Sequence, residues 1–170
     1  SGIYGMNIKM AIYGESHGAS IGLVIDGVPP GLKLDLEAIE KEMARRAPGK
    51  NQLSTQRKES DSFAIQSGFF EGYTTGTPLC VVIKNSDQHS KDYSILKDKM
   101  RPGHADYAGF VRYQGFNDYR GGGHFSGRLT APLVFIGAVA KLALAQEGIL
   151  VGAHILQIAD IKEENFNPLG

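Results

Sequence analysis

The sequence predicts a mixed fold of antiparallel strand pairs and helices. Three observations predict it: two pairs of strand-like segments, an amphipathic helix between the pairs, and a second helix that is apolar nearly all round. Residues Asn7 to Tyr13 and Ile21 to Asp26 read as strands. The loop Gly14 to Gly18 lies between them, which predicts an antiparallel pair presenting that loop at one end. Pro29-Pro30-Gly31 breaks the chain. Asp35 then caps a helix in which Leu36, Ile39 and Met43 recur at helical spacing, and Pro48-Gly49 ends it. Arg45 and Arg46 fall in its last turn, where cations offset the helix dipole. Ser62 to Phe70 and Thr77 to Asn85 read as a second strand pair joined through residues 71–76. Residues 86–127 are polar and carry no regular pattern, and loops of that length inside compact domains are usually functional or disordered. Thr130 or a residue nearby is the expected cap of the second helix, which runs to about Gln146 with Gly148 as its terminator. A helix apolar on every side must be buried between layers. Val151 to Ile158 reads as a last strand, followed by a polar tail from Asp160. With no internal repeat and no linker-like segment, residues 1–170 form one structural unit.

Composition narrows the class. A chain of 170 residues, 42% apolar and 21% charged, is globular rather than disordered. Its 18 basic and 18 acidic side chains cancel, which argues against a nucleic-acid partner. Cys80 is the single cysteine, so neither an internal disulfide nor a cysteine-based zinc site is expected, and the compartment is expected to be reducing. The sequence opens on Ser1 without a basic-then-apolar leader. Its most apolar stretch, Ala131 to Ala145, is shorter than the ~20 residues of a membrane span and contains Lys141. The expectation is a soluble, cytoplasmic protein with no membrane partner. Glycine is the anomaly: 22 of 170 residues, about 13% against a usual ~7%. Many of these glycines flank histidines and arginines, as in Gly14-Glu15-Ser16-His17-Gly18, Arg101-Pro102-Gly103-His104 and Arg120-Gly121-Gly122-Gly123-His124. Loops of that kind bring backbone amides close to a small polar ligand.

Several residues could carry chemistry. Lys41, Arg45, Arg46, Lys50, Arg57 and Lys58 form a basic window that is either an anion site or a solvated helix end. Arg101, Arg120 and Arg128 add cations beside the glycine motifs, and guanidinium forks suit phosphate and carboxylate. Gly14 to Gly18 matches the nucleophile elbow G-x-S-x-G formally, but it leads into a strand where an elbow opens a helix. His104-Ala105-Asp106 lacks the partner spacing of a metal site, so no metal is expected. Gly121 to Gly123 fits neither the dinucleotide fingerprint nor a phosphate-binding Walker loop. His89 and His154 read as ordinary side chains, whereas His17 and His104 sit in polar glycine loops, where an imidazole of pKa near ~6.5 can deliver a proton.

Taken in order, the motifs Gly14-Glu15-Ser16-His17-Gly18, Asp26-Gly27-Val28-Pro29-Pro30-Gly31, Arg45-Arg46-Ala47-Pro48-Gly49, Ser54-Thr55-Gln56-Arg57-Lys58-Glu59, Ser67-Gly68 with Thr74-Thr75-Gly76-Thr77-Pro78, Arg101-Pro102-Gly103-His104-Ala105-Asp106-Tyr107 and Asp118-Tyr119-Arg120-Gly121-Gly122-Gly123 resemble the chorismate synthase family. The resemblance implies an α+β unit, an antiparallel sheet packed on long core helices, about half of the family's β-α-β sandwich. It implies trans-1,4-elimination of phosphate from 5-enolpyruvylshikimate 3-phosphate to give chorismate, with reduced FMN required despite no net redox change and NADPH as a candidate reductant. By motif, His17 corresponds to the acid for the departing phosphate and His104 to the residue that protonates or tunes the flavin. Ser16, Arg46, Arg101 and Arg128 correspond to substrate contacts, and His124, Phe125 and Ser126 to the FMN contact region.

The chain also departs from the family pattern. Gln52 stands where many members have arginine, and His124-Phe125-Ser126-Gly127-Arg128-Leu129-Thr130 replaces Arg-Ser-Ser-Ala-Arg-Glu-Thr. Members are about twice as long, so this chain reads as the N-terminal part, inactive by itself, of an enzyme that is tetrameric in the family. The alternative is a non-catalytic module that binds a polyanion or a protein. Loss of a covering half would expose one face of the second helix, and self-association through that face is the expected consequence.

Overall fold

A computed structural model describes residues 3–4, 7–46, 61–85 and 99–162. In chain order the elements are β1 (Ile3–Tyr4), β2 (Lys9–Gly14), β3 (Ser20–Asp26), α1 (Leu36–Arg46), β4 (Phe63–Ser67), β5 (Phe69–Phe70), β6 (Tyr73–Thr74), β7 (Leu79–Lys84), α2 (Asp106–Arg112), two 3-10 turns at Arg120–Phe125 and Gly127–Thr130, α3 (Ala131–Gln146), β8 (Gln157–Ile158) and β9 (Ile161–Lys162). Five strands form one antiparallel sheet in the order β1-β2-β3-β7-β4.

Alternation makes this sheet one-sided. In the β3–β7 ladder Ile21 pairs with Ile83, Leu23 with Val81 and Ile25 with Leu79, and all six are buried. Side chains two residues apart share a face, so these six form a single apolar surface. Ile39 and Met43 of α1 and Phe135, Ala138 and Val139 of α3 pack into the same core. Phe63 from β4 meets the Phe135 ring edge-on, with centroids 4.9 Å apart. On the opposite face Tyr13 lies over Gly22 and donates its hydroxyl to the Val81 carbonyl at 3.1 Å. Burial, then the neighbouring Cys80, raises the phenol's pKa.

The first helix forms as its sequence predicts. Asp35 Oδ1 accepts from the Ala38 amide at 3.0 Å, satisfying one of the amides left over at a helix start. The expected terminator Pro48-Gly49 lies outside the described residues. The segment read as Ser62 to Phe70 is broken at Gly68, whose φ of 81° and neighbouring register shift divide it into β4 and β5. Phe69–Phe70 and Tyr73–Thr74 then pair across a tight turn with Glu71 and Gly72 at positive φ.

Three expectations at the C-terminal side are corrected. Thr130 does not cap α3: its backbone is already helical, and its hydroxyl donates to the Gly127 carbonyl instead. Nor is α3 enclosed between layers, because Ala131, Pro132, Phe135, Ala138 and Val139 are buried while Leu133, Gly137 and Ala140 are exposed. The sheet and α1 supply only one covering layer. Val151 to Ile158 does not form one strand: the segment is exposed, so the burial that favours β-rich sequence in a sheet is missing. Only Gln157–Ile158 pairs, with Ile161–Lys162, in an exposed two-strand ladder. The end of α3 does follow the sequence. The Gly148 amide donates to the Ala145 carbonyl at 3.1 Å and the Ile149 amide to the Leu144 carbonyl at 2.9 Å, with Gly148 at a φ of 72°. That pattern is the Schellman helix terminus, which a left-handed glycine permits. Sixteen residues at ~1.5 Å rise make α3 about 24 Å long, short of a ~30 Å hydrocarbon core.

Candidate functional site

The turn between β2 and β3 carries Ser16 and His17. It is closed by the Gly18 amide donating to the Glu15 carbonyl at 3.0 Å and pinned to the glycine turn by the Ser16 amide donating to the Gly123 carbonyl at 3.0 Å. Gly121, Gly122 and Gly123 all take positive φ. A Cβ on Gly121 would lie 2.5 Å from His17 Nε2 and Cδ2, so the ring rests directly on that backbone. His124, next along, has Nδ1 2.8 Å from the Gly14 carbonyl. A carbonyl only accepts, so Nδ1 carries the hydrogen. The two glycine motifs, separated by about a hundred residues, thus form one surface. Because the chain leaves this turn into an antiparallel strand, no helix opens behind Ser16 and the nucleophile-elbow reading fails.

Beside this surface lies a buried ion network. Asp61, with only 1% of its side chain exposed, receives Arg46 Nη1 on one carboxylate oxygen at 2.7 Å and Arg128 Nη1 on the other. Arg46 also donates to Thr130 Oγ1 and to the Gly127 carbonyl. Arg128, whose side chain is 5% exposed, donates through Nε to Asn85 Oδ1 at 3.2 Å. Among the described residues, Asp61 is the anion that these two guanidiniums share. Arg45 pairs instead with Glu42, and Lys41 with Glu37, at the surface. The described part of the basic window therefore does not form one patch; Lys50, Gln52, the Ser54–Glu59 motif, Arg57, Lys58 and His89 lie outside the described residues.

Arg101 does not join this network through its described bonds. It forks onto Asp106 at the start of α2, through Nε at 2.9 Å and Nη2 at 3.1 Å, with its backbone amide adding a third bond. These bonds hold the Asp106 carboxyl below the usual range, with His104 adding a smaller charge effect. His104 is exposed in the turn just before α2. Arg120 similarly forks onto Asp118, lowering that carboxyl chiefly through the hydrogen bond, with a small contribution from the charge on His17.

A cleft of about 410 Å³ is lined by Glu15, Tyr113, Phe116, Asn117, Asp118, His124 and Phe125. His124 and Phe125 thus reach one cavity. Ser126 Oγ is 3.3 Å from the Arg128 amide and caps the second 3-10 turn. Among the described residues no three His, Cys, Asp or Glu side chains cluster as a metal centre would.

Comparison with known proteins assigns the family. The chorismate synthase family profile matches residues 8–169. The chain belongs to the chorismate synthase family. It is 51% identical over 164 residues to the chorismate synthase of Sulfurimonas denitrificans, covering 96% of this chain and 46% of that protein. It is 49% identical to that of Pyrococcus abyssi, covering 95% and 45%. A crystal structure of chorismate synthase superimposes with a TM-score of 0.68 at 29% identity, covering 94% of this chain and 40% of the solved one. The chain therefore spans about half the length of the curated chorismate synthases it matches, and the α+β architecture is that of the family.

Sequence reasoning missed Asp61 and Asn85. Both carried a signal. Asn85 continues the inward alternation Leu79, Val81, Ile83, and Asp61 precedes Phe63 and Ile65 on the same face. A polar residue in phase with a core must be hydrogen-bonded.

Proposed function

We propose that the protein carrying this chain converts 5-enolpyruvylshikimate 3-phosphate to chorismate by eliminating phosphate, as a chorismate synthase in aromatic amino acid biosynthesis. The observation that supports it best is the seat of His17: a histidine resting on Gly121, in a turn that Asn85 bonds to Arg128, which shares Asp61 with Arg46. In this reading His17 gives a proton to the departing phosphate as its C–O bond breaks, and Ser16 orients the same group. Arg46, Arg128 and Arg101 attract the carboxylates and phosphate, whose paired oxygens match the guanidinium fork. Catalysis then rests on positioning and electrostatics.

The cleft suits reduced FMN in kind. The aromatic side chains Tyr113 and Phe125 line it, and the Asn117 amide and His124 supply polar edges for a flat heteroaromatic ring. Phe125 would contact the flavin with His124, Ser126 would hold its place through the Arg128 turn, and His104 would set its protonation. When bound, the reduced flavin supplies electron density that eases departure of the phosphate. Of the two carboxylates lining the cleft, Asp118 is paired with Arg120, which leaves Glu15 as the one that disfavours a phosphate there. The reading includes a cytoplasmic homotetramer, with NADPH as a source of reducing equivalents.

The test uses photoreduced FMN and substrate with the protein expressed in its full flanking sequence. Chorismate forms with the parent protein; His17→Ala abolishes it while FMN still binds. Undiminished turnover in His17→Ala would remove that residue from the mechanism. The 170-residue chain alone is expected to be inactive, because the relatives devote more than half their length to sequence beyond this match.

A further inference from the structure

We infer that Asn85 is a positioning residue that ties the His17 turn to Arg128, so that the proton donor and an anion contact move as one unit. The catalytic part of this inference rests on the function proposed above; the coupling does not. Asn85 stands one residue past β7, is 5% exposed, and is not among the residues that the motifs single out. Its side chain is used on both sides. Nδ2 donates to the carbonyls of Glu15 at 3.1 Å and Gly18 at 2.9 Å, the two ends of the turn that holds Ser16 and His17. Oδ1 accepts from Arg128 Nε at 3.2 Å, and the Asn85 backbone amide adds a bond to the Ala19 carbonyl at 3.1 Å. Arg128 is in turn fixed by Asp61, which also holds Arg46.

Only a carboxamide fits this place. The turn presents acceptors and therefore needs two donor hydrogens, while the guanidinium needs an acceptor. Aspartate would keep the bond to Arg128 but set a carboxylate oxygen against two carbonyl oxygens. Asn85→Asp therefore separates the two halves of the junction: Arg128 remains held while the His17 turn is released.

The decisive experiment compares parent and Asn85→Asp. In the full-length protein, kcat is expected to fall about 100-fold with KM unchanged, since a displacement near 1 Å at the reacting group costs about that much. A purely structural role would lower the melting temperature and leave kcat per folded molecule intact, and that result would overturn the inference. Independently of turnover, NMR on the chain should show altered His17 ring shifts and faster exchange of the Gly18 amide, with Arg128 Nε resonances retained. Parent-like signals in the variant would refute the coupling even if chorismate forms. Absence of chorismate with the parent would instead refute the functional reading and leave the NMR result to judge the coupling. If Asn85→Asp does not fold, the side-chain NH2 of Asn85 in the parent decides: slow solvent exchange is expected, and rapid exchange overturns the inference.

Discussion

Gly121 illustrates how one missing side chain organises the site. Its φ of 56° lies in the left-handed region, and the space where a Cβ would stand is taken by the His17 imidazole. Gly121→Ala is therefore expected to cost about 1–2 kcal/mol for the backbone alone, and to push the His17 ring off its seat. Chemical denaturation measures the first effect and His17 ring shifts the second; an unmoved ring would show that the glycine serves the turn only. Asp61 plays the complementary part. Its carboxylate is divided between the buried Arg128 and the partly buried Arg46. Burying Arg128 without that partner would be costly, since an uncompensated charge in the interior loses its hydration.

Among the elements, α2 is the most dependent on electrostatics. It has only seven residues, no side-chain cap at its N-terminus, and buries only Gly109. Asp106 in its first turn, forked by Arg101, does the work that a cap and a core stripe do elsewhere. Because the folded Asp106 carboxyl titrates below its unfolded value, its contribution is fully present above about pH 4 and is lost as pH falls through the folded value. The stability advantage of the parent over Asp106→Asn, read from urea unfolding, should hold constant near neutrality and shrink below about pH 4. An advantage that persisted undiminished into strong acid would mean that Arg101 contributes by packing rather than by charge. The 3-10 turns that follow are similarly local devices. Ser126 Oγ and Thr130 Oγ1 both bond to backbone within a few residues, setting the entry to α3 after three glycines at positive φ.

At the level of the whole molecule, the one-sided core stands out. One apolar face of the sheet is covered by α1 and α3, but α3 exposes Leu133, and Ile149, Leu150, Val151, Ile155, Leu156, Ile158 and Ile161 follow it at the surface. A groove of about 330 Å³ between Met10, Ile25, Val28 and Leu32 of the sheet side and Ile136 and Val139 of α3 is wholly apolar. Large exposed apolar patches tend to associate. Sedimentation of the chain alone should show concentration-dependent association with a second copy, weakened by Leu150→Lys with Ile155→Lys. A clean monomer at high concentration would contradict it.

Much of this molecule is written locally. Alternation in Ile21 to Ile25 and Leu79 to Ile83 determines two strands and the face they bury, Asp35 and Gly148 determine a helix start and a helix end, and the glycine–histidine motifs determine the family. Each depends on neighbours a few residues apart, which is why sequence patterns reveal it. What only the tertiary structure decided is partnership at long range: that Gly121 seats His17, that Asp61 joins Arg46 to Arg128 while Arg101 goes to Asp106, and that Asn85 links the two groups. The same holds for Val151 to Ile158, of whose β-rich sequence only Gln157–Ile158 pairs, and for α3, whose all-round apolarity predicts two covering layers where this chain supplies one. Strand propensity and helix apolarity state what a segment can bury; the rest of the chain determines whether anything is there to bury it.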